Sequence, residues 1–174
     1  MRFEIVEGKE YHCGQMSRLL RSGHQEIIAR LGINTHRELR ARFDDSSFRR
    51  AWIIDGELGA LGGVTGPILA PSGHIWLAVS NKAMRYPIAM VREARRQLDV
   101  ICDIKRELIT SIVDGDLEAK RFAIFLGFIP MDENINPASS KYGRMILHQK
   151  FDEASVRVPI GTGFGTLMSY CVGN

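Results

Sequence analysis

Glu57 and His74 are the side chains of this sequence best suited to taking a proton from a reacting group, since each is ionisable and each falls at the end of a short apolar run. As single residues at strand ends they fit an ordinary surface role as well. Farther along, Lys82 and Arg85 carry the positive charge that pairs with phosphate oxygens, although a basic solvated turn needs no ligand. Tyr86 and Tyr142 hold phenolic protons that a departing anion can take up. Cys13, Cys102 and Cys171 are odd in number and far apart, which excludes a disulfide framework or a CxxC metal site and predicts buried thiols. No HExxH, GxSxG or GxxxxGKS/T motif occurs, nor any cluster of metal ligands, so metalloprotease, serine-hydrolase and P-loop chemistries have no support and no metal is expected.

Hydrophobic periodicity supplies the elements that must position these groups. Alternation around Phe3 and Ile5 predicts a first strand over residues 2–7. Met16, Leu19, Leu20, Ile27, Ile28 and Leu31 recur at helical steps and predict one amphipathic stripe from about His12 to Leu31, stopped by Gly32. Thr35-His-Arg-Glu38 has the spacing of a capping box, with a short helix running to about Phe43. After the polar run Asp44-Asp-Ser-Ser47, the apolar runs from Ala51 and Leu58 flank Asp55-Gly56 as a hairpin. His74 to Val79 is nearly continuous in apolar character, as befits a central strand covered on both faces, and the period then switches to 3.6 for a long helix marked by Ile88, Val91, Ala94, Leu98 and Ile101. Arg92, Glu93, Arg95, Arg96 and Asp99 form its other face. Leu108 to Val113 predicts another strand and Asp116 the N-cap of a helix ending at Gly127. Phe128 to Met131 and the alternating Met145, Leu147, Gln149 and Phe151 predict the last two strands around a polar loop.

At 174 residues, 45% of them hydrophobic and 25% charged, the chain has the statistics of one globular domain, and it lacks both a long apolar run and an apolar leader. A cytoplasmic protein that is not secreted is expected. The net charge of +3 comes from 23 basic residues interleaved with 20 acidic ones. Arg37, Arg40, Arg42, Arg49 and Arg50 cluster, but Glu38, Asp44 and Asp45 among them predict a solvated helix face rather than a nucleic-acid site. Residues 152–174 differ in kind: apolar and glycine-rich, they are expected to form an extension that packs on the domain or on a partner.

The order strand, two helices, hairpin, central strand, long helix, strand, helix, strand, strand resembles that of GNAT (GCN5-related N-acetyltransferase) proteins. The segment Asp116-Leu-Glu-Ala-Lys-Arg-Phe-Ala-Ile-Phe-Leu-Gly-Phe128 is similar to that family's Asn-x-x-Ala…Leu-Gly-Phe motif. The resemblance spans residues 2–151 and implies an α/β fold with a mixed, mostly antiparallel sheet of six to seven strands and about four helices. Trp52 to Gly63, His74 to Val79, Arg85-Tyr-Pro87 and Leu-Gly-Phe128 further resemble a divergent phage-borne branch that includes small internal virion proteins.

What the resemblance implies for chemistry is mixed. Leu77, Ala78 and Val79 are expected to line the acetyl and pantetheine groove of acetyl-coenzyme A through main-chain groups, with Lys82 and Arg85 toward its phosphates and Glu57, His74 or Tyr142 as proton carriers. The family's phosphate-binding turn, however, has glycines that let backbone amides approach the diphosphate. The matching stretch Ser80 to Ala89 has none, and Pro87 lacks an amide donor. The tyrosine that protonates the departing thiolate is replaced by Ala123. These departures lead to the expectation of a virion-associated or assembly component with weak or lost chemistry, docking on other assembly proteins through residues 156–174. The alternative is an active acetyl-coenzyme A-dependent N-acetyltransferase acting on an amine.

Overall fold

Period-two patterning becomes one seven-stranded sheet in the computed structural model of the chain, which describes residues 2–113, 115–131 and 142–148. The strands are β1 (Phe3–Glu7), β2 (Ser46–Ile54), β3 (Glu57–Thr65), β4 (Ser72–Val79), β5 (Glu107–Val113), β6 (Ile129–Pro130) and β7 (Tyr142–His148), in the order β1-β2-β3-β4-β5-β7-β6. Every neighbouring pair is antiparallel except β4 with β5. That mixed, mostly antiparallel α/β architecture is the one the sequence leads one to expect. Gln149, Phe151, the loop over 132–141 and the expected extension over 152–174 lie outside the described residues.

Five helices flank the sheet among the described residues: α1 (Glu10–Leu19), α2 (Ser22–Arg30), α3 (Thr35–Asp44), α4 (Pro87–Cys102) and α5 (Leu117–Phe125), with a single 3-10 turn at Ala83–Arg85. None is long and apolar enough to cross a membrane. On one face, Cys13, Met16, Leu39 and Phe43 pack on Ala51, Leu61, Trp76 and Ala78. On the other, Met90 and Ala94 cover Trp52, Ile54 and Ala60, while Leu98, Ile101 and Ala123 cover Val64 and Leu108. β4 is thereby buried on both sides, which is why it reads as a continuous apolar run. The hairpin turns at Asp55 (φ 48°) and Gly56 (φ 79°), the two successive left-handed residues of a type I′ turn. Gly63 answers a close approach instead: a Cβ there would stand 2.6 Å from the Phe48 carbonyl oxygen and 3.1 Å from Trp76 Nε1.

Four local expectations change. The stripe from His12 to Leu31 is two helices, because Leu20 turns extended (ψ 140°), bridges Ser80 and is fully buried. The cap of α3 is Asn34, whose side chain accepts from Arg37 N at 2.9 Å, and Glu38 bonds Arg42 rather than closing a capping box. β2 begins at Ser46, inside the stretch expected to be loop, because Ser46 Oγ bonds the Arg42 carbonyl and accepts from Trp76 Nε1. Glu93 is buried on α4 instead of solvated, accepting from Gln97 at 2.9 Å. Of the clustered arginines, Arg40 pairs with Asp44 and Glu10, Arg42 with Glu38, and Arg49 and Arg50 lie over the Phe43 and Phe48 rings.

Candidate functional site

β4 and β5 pair only at Ser72 with Glu107, Gly73 with Leu108 and His74 with Ile109, and then part. The junction between α1 and α2 takes over the edge that β5 leaves, with Arg21 N donating to Val79 O at 2.9 Å and Leu20 bridged to Ser80. A cavity of about 270 Å³ opens along this gap, walled by Ile75, Leu77 and Val79 of β4, Thr110 and Ile112 of β5, and Met90 and Phe122 of the covering helices. The β3–β4 register is unbroken from Ala60–Val79 to Thr65–His74, and Ser80 N donates to Gly59 O at 2.8 Å. Antiparallel ladders alternate, so the main-chain groups of Val79, Leu77 and Ile75 turn the other way, toward the gap.

The open end of the gap holds a charged cluster, Arg21 with Asp116 and Glu118, of which the sequence marks only Asp116, as a helix cap. Arg21 is buried, and its guanidinium reaches Asp116 with one nitrogen and Glu118, at 2.7 Å, with the other. Asp116 also caps α5 by accepting from Ala119 N at 3.0 Å, so capping explains only half of its bonds. Burial works to raise the Asp116 pKa, but the hydrogen bonds from Arg21 and Ala119 outweigh it and hold the carboxyl below its ordinary value. His24, half-buried on α2, lines the same cavity. Burial first, then the charge of Arg21, lowers its pKa and keeps the imidazole neutral at pH 7.

The sequence-selected residues are distributed unevenly. Leu77 and Val79 wall the gap, and Ala78 faces a smaller cavity on the opposite side of the sheet. Glu57 and Lys82 come together in a 2.8 Å ion pair beyond the end of β4, and neither lines either of these two cavities. His74 is exposed at the closed end, where β4 is still paired with β5. Arg85 is exposed in the 3-10 turn, beside Met84 and Pro87, which do reach the cavity. Tyr86 packs with the Trp52 and Met90 cluster, and Ala123 lies in the cavity wall. Tyr142 sits opposite Val113, itself a wall residue, in the β5–β7 register; its side chain lies outside the described residues.

An apolar slot between parted strands fits the pantetheine arm of a coenzyme A thioester. The phosphate end fits less well. Ser80 Oγ accepts from Ala83 N at 3.3 Å, Lys82 is engaged by Glu57, and Pro87 at the first position of α4 leaves only the amides of Ile88 and Ala89 in that turn. Among the described residues no group of His, Cys, Asp and Glu is placed to hold a metal ion.

No protein-family model matches the chain, and no curated protein does. Solved structures do. A GNAT-family acetyltransferase from Streptococcus pneumoniae superposes with a TM-score of 0.55 at 12% identity, covering 86% of this chain and 100% of that one. The spermidine N-acetyltransferase of Vibrio cholerae, in complex with CoA and spermine, gives 0.61 at 13% identity over 84% and 95%. An aminoglycoside acetyltransferase in complex with coenzyme A gives 0.59 at 14% over 85% and 95%. At such identities the likeness establishes the fold, and the fold is GNAT-like.

Proposed function

We propose that the chain accepts an acyl-coenzyme A thioester in the gap between β4 and β5 and transfers its acetyl group to an amine. The observation that carries this reading is the parting of the two strands after His74, which leaves an apolar slot flanked by main-chain groups of Leu77 and Val79. Two of the structural neighbours were solved with coenzyme A, in keeping with that use of the fold. Acetyl-coenzyme A supplies an activated acetyl carbonyl. The chain's own share is to hold the thioester away from water with Ile75, Leu77, Met90 and Phe122, and to turn the Val79 and Leu77 amides toward the carbonyl oxygen, where a preorganised donor favours the developing negative charge. Arg85 and the first turn of α4 serve the phosphates.

Calorimetric titration of the purified protein with acetyl-coenzyme A tests the reading. Saturable heat at micromolar to sub-millimolar cofactor is expected, and Arg85→Ala should weaken it by about tenfold, one charge-assisted contact. No heat up to millimolar concentration would refute the reading.

A second reading, a GNAT-fold virion or assembly component with weakened chemistry, is favoured by the glycine-free turn from Ser80 to Ala89 and by Ala123 in the place of the family's proton donor. It expects no acetyl-coenzyme A binding, and loss of incorporation into particles when residues 156–174 are deleted.

A further inference from the structure

Resting on the acyl-transfer reading, we infer that a second cavity, under α2 and α3 on the sheet face opposite α4, receives the acceptor as a compact apolar primary amine, and that His24 takes the proton this amine loses. The cavity measures about 100 Å³, a few times the volume share of one water molecule (about 30 Å³). That suits the alkyl end of a small amine. Its walls are Leu20, Ile28, Leu31, Ile33 and Leu39 below, and Trp76 and Ala78 above. An extended polyamine would find no carboxylate cage here: the one wall carboxylate, Glu38, is already bonded to Arg42 at 2.7 Å.

The two cavities share His24, Trp76, Leu77 and Val113, so they meet at the gap. An amine seated in the smaller one presents its nitrogen to the carbonyl carbon of a thioester in the larger one. In the transfer the C–N bond forms, the C–S bond breaks with its electron pair leaving on sulfur, and the proton lost by nitrogen needs an acceptor. His24 is the imidazole at that junction, and among the described residues its ring makes no hydrogen bond. Among the described residues the charged groups around it are Arg21 at the cap before its own helix, Asp116 and Glu118 at the start of α5, and Glu38 and Arg42 on α3. Of these, Arg21 is bonded to Asp116 and Glu118, and Arg42 to Glu38. The four acids and bases that face His24 from other elements among the described residues are thus engaged, which leaves the imidazole as the base there. Its neutral state at pH 7 agrees with that role.

The test uses isoamylamine and spermidine as probes with the full chain. First, without any thioester, the imidazole C–H proton resonance of His24, assigned through its loss in His24→Asn, is followed while each amine is added. A saturable shift with isoamylamine that spermidine fails to produce, weakened at least tenfold in Leu31→Trp, is expected. Second, thiol release from acetyl-coenzyme A is measured with isoamylamine from about pH 5 to about pH 9. His24→Asn should lower kcat by about 10²-fold or more and erase the acid limb of the profile while leaving acetyl-coenzyme A affinity within about twofold. Circular dichroism melting verifies that the variants fold. Absence of an amine-induced shift, preference for spermidine, or a wild-type acid limb in His24→Asn overturns the inference. Failure of acetyl-coenzyme A to bind is read separately by calorimetry and overturns the acyl-transfer reading on which the proton role depends.

Discussion

Replacing Arg21 with Met removes a cation while keeping most of the stem that packs beside the gap. In the wild type the Arg21 and Asp116 side chains are 10% and 8% exposed, whereas Glu118 is 65% exposed. The exposed half of the bridge contributes less than about 1 kcal/mol. The buried half is different, because Asp116 would remain charged and out of water, and removing one member of a buried pair costs about 3–5 kcal/mol. The surviving bond from Ala119 N lowers that figure toward about 3 kcal/mol, which for a chain of this size is a Tm loss of about 6–12 °C. Asp116→Asn keeps the cap, since Asn caps as well as Asp, and discharges the partner. The double variant Arg21→Met with Asp116→Asn should therefore be more stable than Arg21→Met alone, with a coupling of about 2 kcal/mol in urea unfolding. The pH dependence has a fixed sign. With the folded Asp116 pKa below its ordinary 3.8, the bridge is fully stabilising above that value and is lost as pH falls through the folded value, so Arg21→Met should flatten the acid side of the stability curve. An Arg21→Met protein within about 0.5 kcal/mol of wild type, or simple additivity in the double variant, would refute the reasoning.

Three further outcomes follow from single contacts. Gly63→Ala forces a methyl to 2.6 Å from the Phe48 carbonyl and should cost about 1–3 kcal/mol by denaturant unfolding. Lys105→Met removes the buried ammonium that bonds the carbonyls of Pro67, Ile68 and Ala70 at 2.5–3.0 Å, of which only Pro67 keeps a partner among the described residues, Ala70 N, and should cost at least about 2 kcal/mol while raising amide exchange in the loop before β4. Burial holds the pKa values of His12 and His24 below 6.5; each adds stability present above that value and lost as pH falls toward the folded one, so Tm should drop between about pH 7 and about pH 5, and His12→Gln with His24→Gln should flatten the drop.

Elements whose causes are local were readable from the sequence. The Asp55-Gly56 hairpin, the Asp116 cap and the Gly127 stop each depend on residues within one turn, and all three occur as expected. The break at Leu20–Arg21 does not: the periodicity runs through it in phase, and its causes are Ser80 and Asp116, far along the chain. The site shared that fate. Leu77 and Val79 were legible because the family resemblance marks the central strand, but Arg21 and His24 lay in a stretch that reads as an unbroken helix. Glu57 and Lys82, each plausible alone, neutralise each other outside the gap. Opposite charges brought together by a hairpin end and a turn give no signal in either segment.

How the turn after β4 is held bears on where binding energy for a thioester can come from. Ser80 N is bound to Gly59 O, Ser80 Oγ accepts from Ala83 N, and Asn81 Oδ1 accepts from Ser22 N at 3.2 Å, so this turn ties β3, β4 and α2 together. Amides committed in that way cannot also wrap a diphosphate, and what remains is Arg85 with two amides of α4. A charge-assisted hydrogen bond contributes about 1.5–3 kcal/mol, so the phosphate end should add about ten- to a hundredfold in affinity, and the apolar arm in the gap the rest. S-acetylpantetheine should then compete with acetyl-coenzyme A at no worse than about a hundredfold disadvantage, and added salt should weaken acetyl-coenzyme A only slightly. A disadvantage above about a thousandfold would mean that the turn opens to grip the phosphates, and that the ties at Ser80 and Asn81 yield on binding.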